Sequence, residues 1–147
     1  MDELRMEREA DHRALTALYR DSGLEITEGW ISDNHPVFSV AARKGAMLLG
    51  AATISRRFDR LVLDYLAVRE EARGLGLGKR LTECCISYAR EAGEDALWLA
   101  AREPGFYEHL NAKNTGDTAL LEDCRRCPDY LRNCWPKELV FDLKETT

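Results

Sequence analysis

Residues 73–79 read Arg73-Gly-Leu-Gly-Leu-Gly-Lys79, and this glycine-rich stretch decides the fold. It follows Arg60–Val68, in which both alternating sets of residues are mainly aliphatic, as in a strand buried on both faces. After it, apolar residues recur at helical spacing, namely Leu81, Cys84, Cys85, Tyr88 and Ala89. Glycines let a backbone approach an anion, and a helix N-terminus attracts one. The stretch therefore predicts a phosphate site between a central strand and a helix.

Counting excludes two common phosphate motifs. Gly74 to Gly78 is one residue too short for a P-loop, and Arg80 stands where that motif needs Ser or Thr to hold magnesium. The dinucleotide fingerprint needs two residues between its second and third glycines, whereas Gly76 and Gly78 enclose one. The stretch must therefore bind its phosphate in another way.

Hydrophobic periodicity predicts the other elements. Before the glycines we expect a strand and a helix over 4–18, a helix end at Gly23, an ambiguous segment at 26–31 and a hairpin of 37–42 with 46–54. After the helix we expect a buried strand at 95–101, a short helix at 104–110 and a last strand at 138–143. Segment 111–136 contains cysteines and shows no clear periodicity. The order predicts one mixed α/β domain over residues 1–147.

Length and composition limit the function classes. With 147 residues the chain has room for one domain, and its 45% hydrophobic content suits an ordinary core. The net charge of -5 disfavours nucleic acid as a partner. No apolar run is long enough to span a membrane, and the start, Met1-Asp-Glu-Leu-Arg, is not a signal segment. We expect a soluble, cytoplasmic protein without a membrane partner.

Three motifs in the right order carry a family resemblance. Arg73-x-x-Gly76-x-Gly78 resembles the acyl-CoA pyrophosphate loop of the GNAT N-acetyltransferase superfamily. Leu66-Ala67-Val68 looks like the end of that family's central strand, and Phe106-Tyr107-Glu-His-Leu looks like the start of its tyrosine helix. The resemblance implies an α/β (α+β) fold whose mixed, mostly antiparallel sheet is splayed at the acyl-CoA site, with helices on both faces.

The resemblance also implies roles for the acyl-CoA site. The backbone of Leu66, Ala67 and Val68 would bind the pantetheine arm of acetyl-CoA. The N–H groups of the loop would bind the pyrophosphate, from Arg73, Gly74, Leu75, Gly76, Leu77, Gly78 and Lys79. Tyr107 matches the family's general acid, which protonates the departing thiolate. The alternative for Tyr107 is that its ring only fills space between helix and sheet.

The sequence offers several candidates for the base that takes the amine proton. Some family members carry a glutamate on the strand where Ala100 stands here, so another group must serve. Asp64 is the first candidate, because strict alternation would put it on the same face of its strand as Leu66 and Val68. The weaker candidates Glu28 and His35 lie in the segment that borders the acceptor pocket in this family. Trp30 is expected in that pocket wall.

Cys124, Cys127 and Cys134 place three thiols close together in the sequence. The Cys-x-x-Cys spacing suits zinc, with His109, Cys84 or water as the fourth ligand. A reversible disulfide and free thiols are the alternatives. Because the three lie between the tyrosine helix and the last strand, we expect a local structural unit apart from the acetyl transfer.

The sequence thus predicts an acetyl-CoA-dependent N-acetyltransferase. It would move an acetyl group to a primary amine of a small molecule or amino acid, by direct transfer in a ternary complex. The alternative is a non-catalytic acyl-CoA-binding regulatory module, because the strand glutamate and the Gly-Phe that often follows the tyrosine helix are missing. A zinc-knuckle nucleic-acid binder is disfavoured by the acidic balance. A homodimer is one possible oligomeric state.

Overall fold

The first half of the chain supplies the hairpins and two small helices. The computed structural model describes residues 3–24, 26, 29–57, 59–116, 119–121, 128, 131–132 and 134–144. Its elements begin with β1 (Leu4–Arg8), α1 (His12–Asp21), α2 (Trp30–Asn34), β2 (Pro36–Lys44), β3 (Met47–Arg57) and β4 (Arg60–Val68). Gly23, with φ of +83°, follows α1 in the left-handed conformation that ends many helices, as predicted.

The second half adds the long helix and the other side of the sheet. Its elements are α3 (Leu77–Glu91), β5 (Ala96–Ala101), α4 (Pro104–Glu108), β6 (Lys113–Asn114) and β7 (Lys137–Asp142), with 3-10 turns at Glu70–Ala72 and Ala119–Leu121. The seven strands form one sheet in the order β1-β2-β3-β4-β5-β7-β6. Only the β4–β5 pair is parallel among the described strands. The prediction of a mixed, mostly antiparallel sheet with β4 at its centre is confirmed.

Helices cover both faces of the sheet. On one face α3 buries Leu81, Cys85 and Ala89 against strand residues that include Leu61 and Leu97. On the other face α1 and α2 bury a second cluster of side chains, which includes Leu15, Leu18, Tyr19, Trp30 and Ala51. The expectation of helices on both faces is therefore confirmed, and the chain forms a single α/β domain.

β4 contains an extra residue at the middle of the sheet. Leu63 lies opposite Ile54 on β3, and Tyr65 lies opposite the preceding residue, Thr53. Asp64 is therefore unmatched in the ladder and forms a β-bulge. Such bulges bend a strand and re-aim its side chains, and they are common beside active sites.

The bulge changes which β4 side chains share a face. Leu63 and Leu66 both pack against the core beneath α3, although one is odd and one is even in number. Tyr65 and Ala67 pack against the cluster beneath α1. Strict alternation thus fails across Asp64, so alternation alone does not place Asp64 on the face of Leu66 and Val68.

The two parallel strands separate after a short contact. The register between β4 and β5 consists of one pair, Val62 opposite Trp98. Beyond it, Leu63 and residues 65–68 keep their antiparallel partners on β3. The β4 edge that faces β5 is therefore left without a strand partner among the described residues. This is the predicted splay, and it opens a gap at the carboxyl ends of both strands.

A buried carboxylate holds the segment after α4 onto the sheet. Glu138 on β7 is 1% exposed and accepts hydrogen bonds from Thr115 Oγ1 at 2.6 Å and from the N–H of Leu120 at 3.1 Å. These bonds satisfy both of its oxygens and attach the 3-10 turn Ala119–Leu121 to the sheet.

Across the described ranges, no helix combines the length and apolarity needed to cross a membrane.

Candidate active site

A cavity of about 920 Å³ occupies the gap between β4 and β5. Its walls come from both strands, the glycine-rich loop, α4, the end of α1 and the segment before β7. The lining residues are Ser22, Leu24, Leu63, Asp64, Leu66, Ala67, Val68, Arg73, Gly78, Ala100, Ala101, Arg102, Glu103, Phe106, Tyr107, Cys134 and Trp135. The structure thus brings most of the predicted site residues to one cavity.

The glycines of the loop are required by its backbone. Gly74 and Gly76 have φ angles of +87° and +74°, a region that costs other residues roughly 1–2 kcal/mol. Gly78 is needed for contact, because a Cβ there would lie 3.2 Å from the ring of Phe106. The start of α3 therefore packs closely against the Phe106 ring of α4.

Free N–H groups follow from this loop shape. The first helical bond runs from the N–H of Arg80 to the carbonyl of Gly76 at 3.1 Å, so the preceding N–H groups have no helical acceptor. The N–H of Arg73 is different, because it donates to the carbonyl of Glu70 at 3.2 Å. Of the N–H groups predicted to bind an anion, that of Arg73 is therefore already used, and those of residues 74–79 are the ones left as candidates. The exposed side chain of Arg73 lies at the cavity wall.

The central strand presents polar backbone to the same cavity. Leu66, Ala67 and Val68 line it, and on their other edge they pair with Ala52, Ala51 and Gly50. In a strand, alternate backbone groups point to opposite edges. The groups on the β5 side therefore face the gap, where an extended ligand with amide groups can pair with them.

Tyr107 stands at the opposite wall, on α4. It is half-buried, and its ring packs edge-on against Phe106 at 4.9 Å and against Phe141 at 6.5 Å between centroids. Burial first, and then the charges of Cys85 and Glu103, raise the pKa of Tyr107 well above its usual value. The phenol is therefore protonated throughout the physiological pH range and can serve as a donor.

Asp64 enters the cavity at the bulge of β4. Its side chain is 5% exposed, and its Oδ1 accepts a hydrogen bond from Nη1 of Arg57 at 3.0 Å. The ion pair with the guanidinium fixes the orientation of this carboxylate. Glu28, the second predicted base, lies outside the described residues.

Trp30 and His35, which the sequence analysis placed near the acceptor pocket, do not line the cavity. Trp30 is 2% exposed and donates from Nε1 to Thr16 Oγ1 at 2.8 Å, so it belongs to the core beneath α1 and not to the cavity wall. His35 ends α2 with a φ of +53°, and its carbonyl accepts from the N–H of Arg56. His35 is absent from the lining of the cavity.

Cys134 lies closer to the site than its place in the sequence predicted. It lines the cavity together with Trp135, which is 59% exposed. Cys134 therefore lies beside the cavity, although its place in the sequence did not indicate this. Cys124 and Cys127 lie outside the described residues. Within the part of the chain that is described, no three His, Cys, Asp or Glu side chains form a metal site.

Sequence reasoning missed two charged residues of the cavity. Arg102 and Glu103 directly follow β5, and both are exposed and line the cavity. In open α/β sheets, ligands bind beyond the carboxyl ends of strands. The sequence feature that could have predicted these two cavity residues is a pair of adjacent charges directly after a buried strand.

Solved structures with the same fold include proteins that were crystallised with coenzyme A compounds. The GNAT family acetyltransferase from Elizabethkingia anophelis, solved with acetyl-CoA bound, is 15% identical, with 97% of this chain and 99% of that one covered and a TM-score of 0.74. The ribosomal-protein-S18-alanine N-acetyltransferase from Escherichia coli is 14% identical, with 99% and 97% covered and a TM-score of 0.75. At these identities the likeness shows the fold.

A third structure is matched over only part of its own chain. N-acetylglutamate synthase from Neisseria gonorrhoeae, complexed with coenzyme A and N-acetyl-glutamate, is 22% identical, with a TM-score of 0.68. The match covers 99% of this chain but 36% of that one. A search of curated proteins gives no significant match.

The sequence itself decides the family. The model of the family described as "Acetyltransferase (GNAT) family" matches residues 3–111, which is well over half of the chain. The matched range contains β4, the glycine-rich loop, α3 and α4, and therefore most of the cavity wall. The chain belongs to the GNAT acetyltransferase family and is an acyltransferase.

Proposed function

We propose that the protein transfers the acetyl group of acetyl-CoA to a primary amine of a small molecule or amino acid. The observation that carries this proposal is the cavity between β4 and β5, which connects the N–H groups of the glycine-rich loop, a free strand edge and a protonated tyrosine. The transfer is direct, within a ternary complex. This arrangement supplies groups for the pyrophosphate, for the pantetheine arm and for the departing thiolate of acetyl-CoA.

The donor side follows from the free backbone groups. The N–H groups of 74–79 and the positive end of the 15-residue helix α3 stabilise the pyrophosphate, with Arg73 and Lys79 adding charge. The free edge of Leu66–Val68 pairs with the amide groups of the pantetheine arm. Preorganised N–H donors of the same edge stabilise the oxyanion, a contribution of roughly 3 kcal/mol in other acyl-transfer sites.

The chemistry is then a single displacement. The neutral amine attacks the thioester carbonyl and forms the C–N bond, and the C–S bond breaks as the tetrahedral intermediate collapses. Tyr107 donates its proton to the departing thiolate and is reprotonated from solvent. The amine loses its proton to Asp64 through water, because this carboxylate lines the cavity and is held in orientation by Arg57.

Acetyl-CoA turnover across an amine panel tests the proposal. We expect CoA thiol to be released in proportion to an acetylated amine, at a rate that depends on the amine. Acetyl-CoA binding without amine-dependent turnover would instead support the non-catalytic acyl-CoA-binding module.

Asp64→Asn should lower kcat by about 100-fold at pH 7, within the range usual for acid–base catalysis. The loss should shrink as the pH rises toward the pKa of the amine acceptor, because more of the amine is then neutral without help. Arg57→Gln is the matched control, since it breaks the same ion pair but keeps the carboxylate. Equal losses in both variants would show that the pair is structural.

Zinc in the cysteine segment remains a prediction. If Cys124, Cys127 and Cys134 bind zinc, the purified protein should contain about one equivalent by elemental analysis. Replacing the three by serine should then lower stability or acceptor binding but leave CoA affinity within about threefold, because metal binding is coupled to local folding. Metal-free protein with unchanged stability in the triple variant would exclude this role.

A further inference from the structure

The cavity has two ends on opposite faces of the sheet. Arg73 and Gly78 lie at one end, on the side of α3. Ser22 and Leu24 lie at the other, after α1. Arg102 belongs to this second end, because its Nη2 donates to the carbonyl of Gly23 at 3.4 Å. We call Ser22, Leu24 and Arg102 the acceptor end, since the pyrophosphate loop occupies the other one.

Arg102 differs in its ion pairing from several other arginines of this chain. Arg43, Arg56 and Arg57 each have a carboxylate partner, Glu9, Glu94 and Asp64 respectively. Arg102 has no carboxylate partner among the described residues, and its one hydrogen bond is longer than the usual 2.7–3.2 Å. A guanidinium carries five N–H donors, so most of them are available at a concave surface. Such a group binds carboxylates through two parallel hydrogen bonds.

The same cavity also carries negative charge. Glu103, the next residue along the chain, lines it with an exposed side chain, and Asp64 lines it at the bulge of β4. A ligand that presents an ammonium group to these carboxylates and a carboxylate to Arg102 would be complementary to both signs. An uncharged or purely cationic amine would leave Arg102 without a counter-charge.

We propose that the acceptor is an amine that carries a carboxylate, of the α-amino acid class, and that Arg102 determines this specificity by binding the carboxylate. This inference rests on the proposed function. It deepens that function by assigning the chemical class of the acceptor. Arg102 acts in binding and contributes nothing to the binding of acetyl-CoA at the opposite end.

The test compares the twenty L-amino acids with their C-terminal amides, each at equal concentration with acetyl-CoA. Arg102→Ala should lower kcat/KM for the preferred amino acid by about 30-fold, as expected for loss of a charge-assisted pair. It should change kcat/KM for the matching amide, and KM for acetyl-CoA, by less than about threefold. Arg102→Lys should restore part of the loss. Arg90→Ala, on the exposed last turn of α3, controls for the loss of one surface charge.

The outcomes separate this inference from the function beneath it. Wild-type enzyme that acetylates amides as well as acids, or equal losses on both in Arg102→Ala, contradicts carboxylate recognition while the acetyltransferase stands. Calorimetric binding of the same amino acids to the CoA complex supplies a second measurement. Carboxylate-dependent binding that is lost in Arg102→Ala supports the inference even if no acetyl group is transferred, and its absence contradicts it.

Discussion

Gly76→Asp should abolish CoA binding, with a loss of at least about 100-fold in affinity. Gly76 has a φ of +74° at the start of α3, so an aspartate there is strained and the loop shifts. The new carboxylate also lies among the N–H groups proposed to bind the pyrophosphate, where it repels the ligand and competes for its donors. Calorimetry with CoA, and the rise in Tm that CoA causes in the wild type, measure the effect.

The matched control is Gly93→Asp. Gly93 has a φ of +81° and open space around its Cα, as Gly76 has, but it follows the other end of α3. The two variants therefore share the strain and the added charge and differ in location. CoA affinity should fall only in Gly76→Asp. Equal affinity in both variants would show that the loop does not bind the pyrophosphate.

Tyr107→Phe should lower kcat by about 100-fold and change KM for acetyl-CoA by less than about threefold. The ring stays in place between Phe106 and Phe141, and only the proton donor is lost. Because burial raises the pKa of Tyr107 above its usual value, the wild-type rate should show no fall from ionisation of this group below about pH 10.

Tyr88→Phe is the control for this variant. Tyr88 is also half-buried on a helix, and its ring stacks on Phe38 at 4.3 Å, but it is absent from the cavity wall. It should retain wild-type kcat. A loss of less than about threefold in the chemical step of Tyr107→Phe would mean that the residue only packs between helix and sheet.

The elements that the sequence predicted well are those with long, regular periodicity. β4 reads as a strand with apolar residues on both faces, α3 has a continuous apolar stripe, and both flank the glycines that the loop conformation requires. Local pattern and tertiary role agree at these positions. The central strand, the long helix and the glycine turn between them were therefore predictable, whereas the splay was implied by the family resemblance.

The bulge at Asp64 was not predictable in this way. An extra residue in a ladder is visible only when both strands and their register are known, and the β4 sequence alone continues its alternation through Asp64. The same holds for Trp30, whose burial depends on Tyr19 and Tyr65 from distant parts of the chain. Inferences based on spacing failed where tertiary contacts decide the environment.

The position of Cys134 was missed for a related reason. Segment 111–136 lacks periodicity, so its path across the sheet could not be inferred, and distance along the chain was a poor guide to distance in space. Arg102 and Glu103 were not predicted, because the family's glutamate is expected within the strand, at Ala100. The charged residues instead follow β5 by one and two positions.

A single turnover with isotopically labelled acetyl-CoA tests the central claim most directly. The wild-type protein is mixed with labelled acetyl-CoA and the panel of L-amino acids. The masses of the products and of the intact protein are then measured by mass spectrometry. We expect the label on the amine nitrogen of an amino acid, one CoA thiol for each product and no acetyl group retained on the protein. Acetyl-CoA that binds but leaves the whole panel unlabelled, or an acetyl group trapped on Cys134 during turnover, would contradict direct transfer in this cavity.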